Sequence, residues 1–171
     1  VHVSAPLLPG SVDRIAHRLS LSVLRAGLEV NWCPAPVREQ PEGVTDENGR
    51  DCFHRARMAF RQRSIAGYRL ALQLFESLLA SGSEGAEIHA GVARCCVALA
   101  GMLDLPVREA MPRARLHAGK ALVFDAASGD GHCVIAQVAS LYDRDWPLAE
   151  KHFLKAIQRT PRNPSLHHAY A

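Results

Sequence analysis

One spacing recurs three times in the second half of the chain. The segments are "ALQLFESLLASGSEGAEIHAGVA" (71–93), "ARLHAGKALVFDAASGDGHCVIA" (114–136) and "AEKHFLKAIQRTPRNPSLHHAYA" (149–171). Each opens on an alanine (Ala71, Ala114, Ala149), followed four residues later by Phe75, Ala118 or Phe153 and three later again by Leu78, Ala121 or Ala156. Eleven residues on stands a histidine (His89, His132, His167), and four beyond it another alanine (Ala93, Ala136, Ala171). Steps of three and four place these residues on one face of a helix. The breaks "SGSEG", "ASGDG" and "TPRNP" each hold Gly or Pro, which end helices. The unit is therefore helix, tight break, helix. Small residues let antiparallel helices approach closely, and each pair leaves an apolar face that the next pair covers. The expected fold class is mainly α: about three helical hairpins plus a partial one. The partial one opens at "SLHHAYA", where His167 takes the packing position and His168 turns toward the inner surface.

The first part of the chain reads differently. "VHVSAP" alternates apolar and polar residues, and "SVDRIAHRLSLSVLRAG" carries a helical stripe of Ile15, Leu19, Val23 and Leu24. "LEVNW" reads as a second strand before "CPAP". Residues 1–34 are thus expected to form a small strand–helix–strand α/β segment, the end of a small α/β domain. Residues 35–50 are Pro-, Gly- and charge-rich and read as a linker, with the helical repeat domain spanning 51–171. The chain begins at Val1 rather than Met, which reads as a fragment of a longer protein.

Apolar residues are 48% of the chain and charged residues 22%, which is globular composition and argues against disorder. A net charge of +3 neither demands nor excludes nucleic acid. The arginines of "HRARMAFRQRSIAGYR" (Arg55, Arg57, Arg61, Arg63, Arg69) spread around a helix and read as a solvated face. Cys33, Cys52, Cys95, Cys96 and Cys133 are odd in number and lack a C-x-x-C, which fits buried thiols in a reducing, cytoplasmic setting. No signal peptide and no apolar run of the ~18 residues a membrane helix needs is visible.

The nine histidines include no H-E-x-x-H and no Cys/His quartet. His89, His132 and His167 are a repeat apart, too far for one ion, so no metal and no cofactor is expected. Cys52 with His54, or His132 with Cys133, could pair as nucleophile and base, but neither spacing lets the side chains face each other, and no orienting third group follows. "GSEG" and "SGDG" lack the Lys-Ser/Thr of a phosphate loop and read as helix joints. Asp143 and Asp145 flank Arg144 in a turn, where Asp145 caps the following helix and Pro147 sits in its first turn. No catalytic residue is expected.

The pattern resembles the tetratricopeptide repeat. In the last unit Asp145 falls on that motif's turn acid, Ala149 and Ala156 on its small positions, Phe153 on its aromatic and Pro161 on its terminal proline. Leu78 stands where the motif has Ala, and Ser83 and Ala126 where it has Pro. The distance from Ala93 to Ala121 is 28 residues against 20 from Ala136 to Ala156, and the excess of eight is expected as a longer loop around "GMLDLPVREAMP". The wording from "REAMPRARLHAGKALVFD" onward looks like the helical-repeat region of bacterial transcriptional regulators with an OmpR/ToxR-type winged helix. Invasion-gene and acid-response activators are of this class, and such repeats also occur behind bacterial adenylate cyclases and Ser/Thr kinases.

The resemblance implies a sensory or interaction module that binds and does not catalyse. The partner is a protein or peptide, a second copy of the chain, or a small effector. DNA would be reached only through a winged helix outside these residues. The alternatives are an accessory domain of a signalling enzyme and a free-standing scaffold. In such arrays the first helix of each pair lines a concave surface. Relative to Ala93 and Ala136, this assigns the partner-binding groove to Ala90, Arg94, Val97, Cys133, Gln137, Ser140 and His168. Arg94→Glu is expected to weaken binding and leave helicity intact.

Overall fold

A computed structural model describes the protein at Val44 and over residues 47–159. The strand–helix–strand unit expected over 1–34, residues 35–43, 45 and 46 of the linker, the "TPRNP" break, Pro161, His167 and His168 lie outside the described residues. Within them the fold is mainly helical, with six α-helices and no strand. These are α1 (Glu47–Arg61), α2 (Ile65–Ala80), α3 (Ala86–Gly101), α4 (Val107–Phe124), α5 (Gly129–Val138) and α6 (Trp146–Arg159). A π-helical turn, Ala139–Asp143, extends α5. The first helix starts inside the stretch read as linker. Glu47 suits the positive end of the helix dipole, and Gly49 is already buried on the packed face.

Each helix follows from local chemistry. Ser64 caps α2, its extended backbone letting the hydroxyl accept from Gly67 N at 3.0 Å. A side chain at Gly67 would place Cβ 2.5 Å from the Ala59 carbonyl, so glycine lets α1 and α2 close tightly. Tyr68, Ala71, Leu72, Phe75 and Leu78 then bury one face of α2. Its end turns at Gly82 (φ 84), with Ser83 N donating to Leu78 O at 3.0 Å. Ser128 caps α5 through Gly131 N at 3.2 Å. Asp145 caps α6 as expected, accepting from Leu148 N at 3.1 Å, with Pro147 in the first turn. Arg144, at φ 59, makes the left-handed step between α5's π turn and α6.

The six helices form three hairpins, α1/α2, α3/α4 and α5/α6, each packed on the next. The first helices α1, α3 and α5 also pack on one another, whereas α2, α4 and α6 do not to any comparable extent. The first helices therefore form the inner layer of the stack. α3 lies at its centre and is buried nearly all round, from Ala86 to Ala100 apart from Glu87 and Arg94. All described residues of the recurring spacing are buried: Ala71, Phe75, Leu78, His89 and Ala93; Ala114, Ala118, Ala121, His132 and Ala136; Ala149, Phe153 and Ala156. The pattern also extends backward. Cys52 and buried Ala56 of α1 stand where His89/Ala93 and His132/Ala136 stand in α3 and α5.

The eight-residue excess is not simply a longer loop. Four residues form an extra turn at the start of α4, three lengthen the connection to 102–106, and one extends α3. The added turn is helical because Ala110 and Met111 bury against the core while Pro112 faces solvent. Proline there forfeits one backbone hydrogen bond, a loss that packing on the inner side offsets. Ion pairs tie α4 outward to both neighbours, Arg113 to Glu76 of α2 and Arg115 to Asp143 of the π turn.

Candidate functional site

The residues that the sequence assigns to a binding groove fall on the inner layer, whose composition follows from helix periodicity. The steps that generate Ala90, Arg94 and Val97 in α3, and Cys133, Gln137 and Ser140 in α5 and its π turn, generate Phe53, Arg57 and Phe60 in α1. Most of these are not open. Ala90, Val97, Cys133 and Ser140 are buried, as are Phe53 and Phe60, while Arg57, Arg94 and Gln137 are half-buried. Of the described residues expected to line the mixed groove, only Arg94 and Gln137 are partly exposed. The first helices pack so closely that small and apolar side chains between them are covered, and the long polar ones reach the surface. His168 lies outside the described residues.

Arg94 joins all three inner helices. Its Nη1 donates to Asp130 Oδ2 of α5 at 2.9 Å, and its guanidinium sits 4.4 Å from the ring centroid of Phe60 on α1. Arginine suits this place because its flat head can stack on a ring while its edge engages a carboxylate. A charge reversal at Arg94 would set a carboxylate against Asp130, so Arg94→Glu is not a change confined to the surface. Arg57 rests 5.8 Å from the Phe53 ring of its own helix. Burial and neighbouring Arg61 push its guanidinium below the ordinary arginine range, Glu87 opposes this, Arg94 adds to it and Asp130 opposes it. Glu87 and Asp130 occupy matching steps, each seven residues before the long polar side chain of its helix. The attraction of Glu87 for Arg57 has the same sense, one hairpin earlier, as the ion pair of Asp130 with Arg94. The result is a polar row, Arg57, Glu87, Arg94, Asp130 and Gln137, running across the inner layer. Gln137 ends it, with Oε1 buried and Ser140 Oγ donating back to its carbonyl at 3.1 Å. The matching residue of a further unit, Ser165, lies outside the described residues.

The periodic histidines make contacts that the spacing did not disclose. His89 of α3 meets His117 of α4, Nδ1 to Nδ1 at 3.1 Å, and His132 of α5 meets His152 of α6 at the same distance. His117 and His152 each stand three residues after the opening alanine of their segments. That register was visible, but the unequal 28- and 20-residue separations obscured it.

Cys52, Cys95, Cys96 and Cys133 are not joined in disulfides. Burial drives Cys95 well above the ordinary thiol range and Cys96 up to about 11, which removes their nucleophilic character near neutrality. Cys52 Sγ faces Leu74 O and Ser77 Oγ, each at 3.6 Å, and not His54. No group of three or more His, Cys, Asp and Glu side chains converges as metal ligands among the described residues. No described helix is long and apolar enough to cross a membrane. No family model matches the chain, and no curated protein matches it.

Proposed function

We propose that the chain is a protein-interaction module built from tetratricopeptide-type hairpins, the sensory or interaction portion of a cytoplasmic bacterial transcriptional regulator. It acts by binding a protein or peptide, a second copy of itself, or a small effector, and not by catalysis. Binding shifts assembly state or domain packing and so controls an attached winged helix.

The observation that carries this reading is the polar row on the inner layer, from Arg57 to Gln137. A closed helical core has no use for a line of half-buried polar and charged side chains along its first helices. A recognition surface does, because such groups set orientation and select partners. Arg57 and Gln137 are the members to probe, since Arg94 also holds the helices together. Peptides selected from a displayed random library against the chain should lose at least tenfold in affinity on Arg57→Glu and Gln137→Lys, with the helical circular dichroism unchanged. Selected peptides indifferent to both changes sink the inner surface. The regulator assignment is tested by the coding sequence upstream of Val1: a winged helix that binds a specific promoter supports it, and a cyclase or kinase domain overturns it.

A further inference from the structure

Two of the three hairpins are clasped by a pair of imidazoles, and the third is not. His89 is 1% exposed and stacks on Phe124 (centroids 5.6 Å apart, planes at 23°), with Nδ1 at 3.1 Å from His117 Nδ1. His132 is 7% exposed and meets His152 in the same way across α5/α6. At the matching place in α1/α2 stand Cys52 and Leu74, which carry no imidazole.

An Nδ1-to-Nδ1 contact needs one N–H and one lone pair. In the α5/α6 pair, His132 Nε2 lies 3.2 Å from Ala126 O, so Nε2 carries the hydrogen and Nδ1 of the neutral ring accepts from His152. One added proton goes to the free Nε2 of His152 and leaves the bond from its Nδ1–H to His132 Nδ1 in place. A second leaves two cationic N–H groups facing each other with no acceptor between them. In the α3/α4 pair, His89 Nε2 is buried and makes no hydrogen bond among the described residues. A fully protonated His89 would therefore bury an unsatisfied N–H.

We propose that the His89–His117 and His132–His152 pairs are proton-operated clasps. They close α3 on α4 and α5 on α6 while neutral, and release these two hairpins on acidification, while α1/α2 stays closed. The surroundings reinforce this. Lys120 and Arg113 of α4 face the first pair, with Glu84 of the α2–α3 connection the opposing charge. Lys151, Lys155 and Arg159 of α6 face the second, with Asp125 of the α4–α5 connection opposing. Burial first, then the partner ring and these cations, depress His117 and His152 to about 4, and burial lowers His89 and His132 as well. Folded values below the unfolded ~6.5 mean that the open state binds more protons. The clasp is complete above about pH 6.5 and is lost progressively as pH falls toward the folded values near 4.

The test is hydrogen exchange of the whole chain, helix by helix, at pH 7 and pH 5, corrected for intrinsic rates. Protection of α3–α6 is expected to drop at least tenfold relative to α1/α2. The His117→Leu/His152→Leu double variant copies Leu74 of the first hairpin and leaves only His89 and His132 to titrate, so it should shrink that difference at least threefold. If it folds poorly, His117→Gln/His152→Gln keeps a donor and an acceptor without titrating and should do the same. Equal loss of protection in all three hairpins, or a pH-dependent difference undiminished in the folded double variant, overturns the proposal.

Discussion

The seam between the first and second hairpins and the seam between the second and third solve one packing problem with opposite residues. At the α2–α3 seam a large ring, Phe75, lies against Gly91; a Cβ on Gly91 would come within 2.6 Å of Phe75 Cζ. At the α4–α5 seam the matching positions hold Ala118 and Val134, both fully buried. Bulk has moved from the second helix of one hairpin to the first helix of the next. What repeats is the combined volume at the joint, as expected where interiors are packed like organic crystals. The seams also differ at their edges. Ser128 caps α5 through Gly131 N, whereas Gly85 precedes α3 and offers no side-chain cap.

The largest effect tests the exchange of bulk. Phe75→Ala should cost about 3–5 kcal/mol by opening a cavity. Gly91→Val should cost about 3 kcal/mol by overpacking against the ring. The Phe75→Ala/Gly91→Val double variant rebuilds the Ala/Val joint of the other seam and should recover about 2 kcal/mol or more of the summed losses. Urea denaturation in a double-mutant cycle measures this coupling, and additive costs would break the comparison.

Next comes Arg94→Ala, which removes the link from α3 to Asp130 and Phe60. The ion pair is only 17% and 23% exposed on its two sides, so the loss should be about 1–3 kcal/mol, read from the same denaturation curves. Asp130→Asn should give a smaller loss of the same sign. Ser128→Ala should cost about 1 kcal/mol and fray the start of α5, visible as faster amide exchange at Gly131. The smallest effect is Arg108→Ala. Its contact with Glu109 is 3.8 Å long and exposed on both sides, so the thermal midpoint should barely move, with a change under about 0.5 kcal/mol.

Much of the fold was legible because the recurring positions carry small or aromatic residues whose size has a packing consequence. Ala71, Ala114 and Ala149 mark the same step of successive second helices, and all are buried. The first hairpin was harder to place. Cys52 does not resemble His89, although both occupy one position, and only their packing across to α2 and α4 aligns them. The excess around "GMLDLPVREAMP" reads locally as loop because it holds Gly101, Pro106 and Pro112, yet Ala110 and Met111 find a core to bury against and the segment becomes helix. In the candidate site, Arg94 was identifiable as an inner-face residue, but its neighbours were expected to be more open than they are. Periodicity reports which way a side chain points, and not how near the next helix comes.

The sequence by itself determined a mainly helical chain cut into hairpins at set intervals, because Gly, Pro and capping residues act over a few positions and helical periodicity needs no distant partner. Tertiary structure alone decided which of those residues meet. It placed His89 beside His117 and His132 beside His152, set Phe75 against Gly91, and aimed Arg94 from one hairpin to the next. These contacts join residues up to 36 positions apart, and their geometry depends on how three hairpins stack, which no local pattern encodes.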